Sequence, residues 1–348
     1  MPPIIESFHP SSSSSSSLPA RLIPTLQSHL PHSLPLLRRI QFASRVEGGS
    51  TPHSHVIYVH SPPPPDDSPV HFAAAYLDLS RGPETECWVY SSLQASVPFN
   101  GDATSSEYIP PSLSADELAA AVEQLLHLLR RIEQIESAYA AENGNSGEEG
   151  LNRGHSRHHV RVGALHEIVR RLLVAAGVKV LRTSVVPKGK EWEFYATWLV
   201  RVGDLERKNE VDLPEGLEWD VIREGDTGLV RGRTSIPKRE NSDTMLMVPS
   251  TVIRREDGTA IAWGYLGVDG SVSTLHVEEQ YRGQGLAKAL TGRLLRTRLQ
   301  ELGDDGWCST DISTTNLQSQ GVFRSIGGSP AWTVSWMYLD LKTVGGPL

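Results

Sequence analysis

Between Ser271 and Leu302 the chain reads SVSTLHVEEQYRGQGLAKALTGRLLRTRLQEL. Val272, Thr274, Leu275 and Val277 favour an extended strand. After Gly285 the period becomes helical: Leu286, Leu290 and Leu294 recur at four-residue steps, and Leu295, Leu299 and Leu302 continue that face. Arg293, Arg296 and Arg298 fall largely outside it. Between strand and helix stand Arg282, Gly283, Gln284 and Gly285. Glycine has no Cβ, so the backbone there turns sharply and approaches a ligand closely. The first helical turn offers unpaired N–H groups at the positive end of the dipole, and an arginine at its mouth adds a charge-assisted contact. This combination predicts a pyrophosphate cradle.

Two common nucleotide-binding patterns are absent from the turn. A dinucleotide-binding turn needs Gly-x-Gly-x-x-Gly, and Lys288 stands where the third glycine belongs. A Walker A loop needs Gly-Lys followed by Ser or Thr, which is absent here. Arg282, Gly285 and Ala287 do meet Arg-x-x-Gly-x-Gly/Ala, and by that signature the segment resembles the GNAT acyltransferases. The resemblance implies that the cradle holds the pyrophosphate of coenzyme A, with acetyl-CoA or another acyl-CoA as cosubstrate. A strand, glycine turn and helix with no ligand is the competing reading of so short a motif.

The remaining composition sets bounds. A chain of 348 residues is long enough for two domains of ordinary size. The hydrophobic share of 39% and charged share of 21% suit a globular protein, and a net charge of −8 argues against a nucleic-acid partner. Cys87 and Cys308 form no disulfide framework, and no Cys/His spacing suggests a metal. No apolar run reaches the roughly 18 residues of a membrane span, and the N-terminus lacks a secretory pattern. Cytoplasm, with the nucleus as an alternative, is the expected compartment.

Along the chain, residues 1–19, with the Ser11–Ser17 tract, read as a disordered Ser/Pro-rich tail. Residues 20–210 read as an N-terminal α/β domain. It begins with two short helices divided by Pro31 and Pro35, followed by strands at 56–60, 70–78 and 86–91. Ser114 and Glu117 form a capping box for a long helix. A polar, glycine-rich flexible loop over 144–162 includes Arg157-His158-His159, read as solvated rather than metal-binding. A helix over 164–176 precedes strands at 178–186 and 192–202, joined by a hairpin at Pro187–Lys190. Residues 211–348 then read β-α-β-β-β-[glycine turn]-α-β-α-β, with strands at 217–222, 246–254, 260–266, 271–277, 307–312 and 332–341.

That order is the order of the GNAT fold. Ala262-Trp263-Gly264-Tyr265, Asp269-Gly270-Ser271 and Leu275-His276-Val277 leading to Tyr281-Arg282-Gly283 resemble the glycine N-acyltransferase-like branch. In that branch a degenerate GNAT-like domain precedes the active one. The expected fold is therefore a mixed α/β sheet, GNAT in the C-terminal half and GNAT-like in the N-terminal half, where no cofactor turn is visible.

By the same resemblance, Leu275, His276 and Val277 lie along the cofactor and Arg282, Gly283, Gln284, Gly285, Leu286 and Ala287 surround its pyrophosphate. Asn316 keeps the position whose amide meets the cofactor. Amide formation from a thioester needs a polarised carbonyl, a base for the amine and a proton or charge partner for the thiolate. His276 is the candidate base by its intrinsic pKa and its place on the strand, with Thr274 its polar partner in alternation. Glu278 and Glu279 read as rim charges. Ser271 stands where the branch places a glutamate, and Phe323 stands where many family members carry a tyrosine acid. The expected activity is N-acyl transfer, acetyl or another short chain, to a primary amine of a small molecule or amino acid. The alternatives are a peptide or protein acetyltransferase, and a CoA-binding protein with impaired catalysis.

Overall fold

The computed structural model describes residues 3–10, 21–62, 71–81, 84–96, 113–143, 157–182, 194–205, 213–234 and 242–344. The first half runs β1 (Ile4–Phe8), α1 (Leu22–Ser28), α2 (Leu34–Arg45), β2 (Ser54–His60), β3 (Phe72–Asp78), β4 (Cys87–Ser91), α3 (Ala115–Glu142), β5 (His159–His166), α4 (Glu167–Ala175), β6 (Lys179–Arg182) and β7 (Tyr195–Arg201). The second half runs β8 (Leu217–Asp220), α5 (Thr227–Arg233), α6 (Ser242–Met247), β9 (Ser250–Arg255), β10 (Ala260–Leu266), β11 (Val272–Val277), α7 (Leu286–Arg298), β12 (Trp307–Ser313), α8 (Leu317–Ser325) and β13 (Ser329–Asp340). Local chemistry explains several boundaries. Pro35 sits in the first turn of α2, where its missing N–H costs nothing. The Ser114–Glu117 capping box opens α3. Leu286, Leu290, Leu294, Leu295, Leu299 and Leu302 are all buried, so the predicted apolar face of α7 is the face that packs.

Two sheets result. One has the order β1-β2-β3-β4-β5-β13-β7-β12, with β6 also on β13; the other is β11-β10-β9-β8. The last strands of the two halves are exchanged. β7 pairs with β12 from Tyr195 to Arg201, although it precedes the whole second half. β13 pairs with β7 through Ser329–Val334, then continues against β5 and β6 as far as Asp340. α2 adds a buried polar tie, because Arg38, 1% exposed, donates two hydrogen bonds to Asp305 (2.6 and 2.7 Å) and one to the Trp307 carbonyl (3.0 Å).

Some expectations change. Residues 4–8 of the expected tail are a strand, paired antiparallel with β2; 11–20, including the serine tract, lie outside the described residues. The loop expected over 144–162 ends sooner, since β5 occupies 159–166, and the helix begins at Glu167 rather than Ala164. His159 and Arg161 hide that strand in the sequence, and only its place between β4 and β13 fixes it as extended. Residues 246–247 close α6 instead of opening a strand. The predicted hairpin at 187–190 lies outside the described residues.

Candidate active site

β11 and β12 meet only at one end. There Thr310 Oγ1 donates to the Val272 carbonyl at 2.8 Å and the Cys308 thiol lies 3.8 Å from the Gly270 carbonyl. Beyond that contact the two strands belong to different sheets, so a cleft opens between them. A β-bulge stands at its foot. Tyr265 pairs with Ser273 and Trp263 with His276, so Thr274 and Leu275 together oppose Gly264, and Thr274 takes φ +55°. The extra residue reverses the alternation. Val272 packs with Leu294 and Leu295, while Leu275 and Val277 pack with Leu286 and Leu290, so all three side chains lie on the α7 side. His276 lies on the other face, stacked on Trp263 at 4.5 Å and 19°. Thr274 is therefore the bulged residue, not the alternation partner of His276.

The glycine turn follows. Gly283 and Gly285 both have φ +78°, a left-handed conformation that glycine adopts without steric cost. A Cβ at either position would meet nothing within 4 Å, so it is backbone geometry that calls for glycine, and the turn is open to a ligand. α7 starts without a side-chain cap and with no acidic residue in its first turn, which leaves its N–H groups free for an anion. Arg282 arches back, its Nε donating to the Val277 carbonyl at 3.0 Å. Leu286 is buried beneath the turn, so its backbone and not its side chain faces the cradle. The N-terminal half contrasts with this. Ser114 and Glu117 cap α3 and Asp116 adds a second acid, so that helix start repels phosphate.

The sequence places Glu278 among the rim charges. The structure joins it to His276, whose Nε2 lies 3.8 Å from Glu278 Oε2, while Arg233 Nε donates to Oε1 at 2.8 Å. His276 Nε2 is sealed from solvent without a hydrogen bond, whereas Nδ1 is not sealed. Burial, the largest influence, holds the imidazole pKa below the usual 6.5, with Arg282 and Arg233 assisting against Glu278. At neutral pH the ring is thus uncharged and able to take a proton. Arg233 is the last residue of α5, and the helix is anchored at its start. Buried Arg254 bonds Asp226 at 2.6 and 2.9 Å, the Val221 carbonyl at 2.8 Å, and Asp220.

Asn316 is exposed at the N-cap of α8 and its side-chain oxygen accepts from the Ser319 N–H at 3.1 Å, leaving the amide nitrogen for a ligand. Phe323 is buried among Leu294, Cys308 and Ile326, so that position supplies packing and no proton. Cys308 is buried too, and burial pushes its thiol up to about 12, which excludes it as a thiolate nucleophile at neutral pH. Asp269 is buried and accepts from the Trp88 indole of the other half at 3.3 Å.

Comparison with known proteins identifies the family. Residues 5–192, more than half of the chain, match the family described as the acyl-CoA N-acyltransferase verG N-terminal domain. The chain belongs to the GNAT acyl-CoA N-acyltransferases. Residues 252–337 of this acyltransferase match a second family, described as FR47-like protein. Its fold is that of a Drosophila protein of known structure, with a TM-score of 0.55 at 15% identity over 92% of this chain and 97% of the other. Looser likenesses include a GCN5-related N-acetyltransferase from Sphaerobacter thermophilus (TM-score 0.43, 13% identity, 82% and 80% covered). Another is a tandem GNAT protein from the clavulanic acid biosynthesis pathway (TM-score 0.47, 9% identity, 99% and 100% covered). No curated protein matches in sequence. Among the described residues no helix is long and apolar enough to cross a membrane.

Proposed function

We propose that the acyltransferase moves an acetyl or similarly short acyl group from CoA to the primary amine of a small molecule or amino acid. The observation that carries this is the uncapped glycine turn of α7 lying beside a bulged strand that bears an uncharged histidine. In this reading the pyrophosphate lies on the backbone of Arg282–Ala287 and pantetheine follows β11 as an added strand would, reaching toward Asn316. The bulge frees backbone N–H groups of β11 to polarise the thioester carbonyl. The amine attacks that carbonyl, an N–C bond forms and the C–S bond breaks. The departing amine proton passes to Nδ1 of His276, with Glu278 stabilising the resulting imidazolium. CoA leaves as the thiolate, since Phe323 cannot protonate it.

The test is incubation with radiolabelled acetyl-CoA and a panel of primary amines and amino acids, together with calorimetric CoA binding to the wild type and Arg282→Ala. Acylated amine and a roughly tenfold weaker affinity in the variant are expected, in line with the loss of one charge-assisted contact. Unchanged CoA affinity in Arg282→Ala, or no labelled amine, would overturn the assignment.

A further inference from the structure

The face of the cleft opposite α7 carries a carboxylate that neither the cradle nor the His276 pair uses. On β12, Cys308 and Ile312 point into the core beneath α7 and α8, so Asp311 between them faces the other way, the side of His276. Thr310, its neighbour, makes the last contact with β11, so Asp311 stands where the cleft begins, beside the bulge at Thr274. The exchanged strand supplies its support. Asp311 pairs with Thr197 of β7, whose Oγ1 donates to Oδ1 at 2.5 Å. The other carboxylate oxygen has no hydrogen bond among the described residues and is not sealed from solvent.

A second carboxylate, Asp269, acts on the first. It is 7% exposed and takes its hydrogen bonds from Ser271 (2.6 and 3.1 Å) and Trp88 (3.3 Å), so its donors are neutral. Neither acid has an ion-pair partner among the described residues, and Arg38 nearby is committed to Asp305. Two aromatic contacts lie on the neighbouring strands. Tyr195 shares the β7 face of Thr197 and meets Trp336 edge-on at 5.2 Å, and the Trp336 and Trp88 indole nitrogens converge above Gly163. A half-buried carboxylate beside a second acid gains when a cation joins it.

We propose that Asp311 seats the acceptor's ammonium group, which releases its extra proton to water before the free amine attacks, so that the enzyme selects aliphatic amines, which are protonated in water, over amines that are neutral. This rests on the small-amine reading above and adds the residue that recognises the acceptor. The site is built by both halves, with Asp311 from one and Thr197, Tyr195 and Trp336 around the exchanged strands.

Binding and turnover test it separately. In calorimetry with CoA present, n-butylammonium is expected to bind the wild type at least tenfold more tightly than its neutral isostere 1-butanol, and Asp311→Asn to lose that preference. Asp311→Glu, which keeps the charge, should retain most of it. In kinetics Asp311→Asn should raise KM for butylamine at least tenfold and leave KM for acyl-CoA within twofold. Equal binding of butylammonium and butanol by the wild type overturns the proposal whether or not the variant folds, as does unchanged butylammonium affinity in Asp311→Asn. Asp311-dependent butylammonium binding with no acylation of any amine would support the ammonium site while removing the acyl-transfer assignment to small amines.

Discussion

Replacing Gly285 by alanine separates the fold from the cradle. Gly285 has φ +78°, and a Cβ there would meet nothing within 4 Å. The cost to the fold is thus the left-handed conformation alone, about 1–2 kcal/mol for an L-residue, and about 2 °C in Tm for a protein of this size. CoA binding should suffer more, because the methyl stands on the open side of the turn and reorients the N–H groups that would hold the pyrophosphate in the proposed site. Losing one hydrogen bond to a charged group costs about 1.5–3 kcal/mol, which is about a 10- to 100-fold rise in Kd. Gly177 provides the matched control. It has φ +87°, has equally open space around an added Cβ, and lies at the end of α4 in the other half. Gly177→Ala should lose the same stability and bind CoA normally. Thermal melts and CoA calorimetry on both variants decide the matter. A Gly285→Ala protein that binds CoA like the wild type, or a Gly177→Ala protein that weakens it equally, refutes the cradle.

Arg254→Met leaves Asp220 and Asp226 without their buried partner and should cost about 3–5 kcal/mol, seen as a Tm lowered by about 4–7 °C. Activity should fall with it, since the α5 end that carries Arg233 loses its anchor. If His276 is the general base as proposed, His276→Gln should lower kcat by roughly 10²–10⁴ with CoA affinity unchanged. In the wild type kcat/KM should fall as pH drops through a His276 pKa below the usual 6.5; Glu278→Gln removes a charge that raises it, so that limb should move to lower pH. Asp311→Asn should stabilise the free enzyme at pH 8 but not at pH 4. Burial pushes the folded carboxyl up to about 7 from 3.8, so the unfolded chain releases its proton first and stability is lost as pH rises between those values. The ceiling is about 4 kcal/mol, less in proportion to the water that reaches the group, and melts from pH 4 to pH 8 measure it.

What the sequence displays here is local. The period of α7, the glycine turn and the capping box of α3 each lie within a few residues of one another, and all stand in the structure as predicted. β1 and β5 are hidden because their evidence is not local: β1 is extended through β2, and β5 through β4 and β13. The bulge is hidden for the same reason. A one-residue slip at Thr274 turns His276 to the other face, and alternation read along β11 alone cannot contain it. Asp311 did carry a signal, a charge inside a β-favouring run, but its meaning depended on Thr197, 114 residues away.

The strand exchange also predicts what the second half does alone. β12 pairs with β7 along its whole length, and β13 does so through Ser329–Val334. Ala196, Trp198 and Val200 of β7 are buried in the core beneath α7 and α8, with Leu294, Leu295 and Phe323. A fragment of residues 213–348 loses all of this, leaving two unpaired strand edges above an uncovered apolar surface, the arrangement that drives aggregation. It should therefore be insoluble or lack a cooperative thermal transition, and coexpression with residues 1–212 should restore both solubility and CoA binding. Were the fragment to melt cooperatively and bind CoA like the full chain, the exchanged strands would be dispensable. Otherwise the N-terminal half, although its own helix start repels phosphate, is retained because it supplies the strand on which the other half's cleft is built.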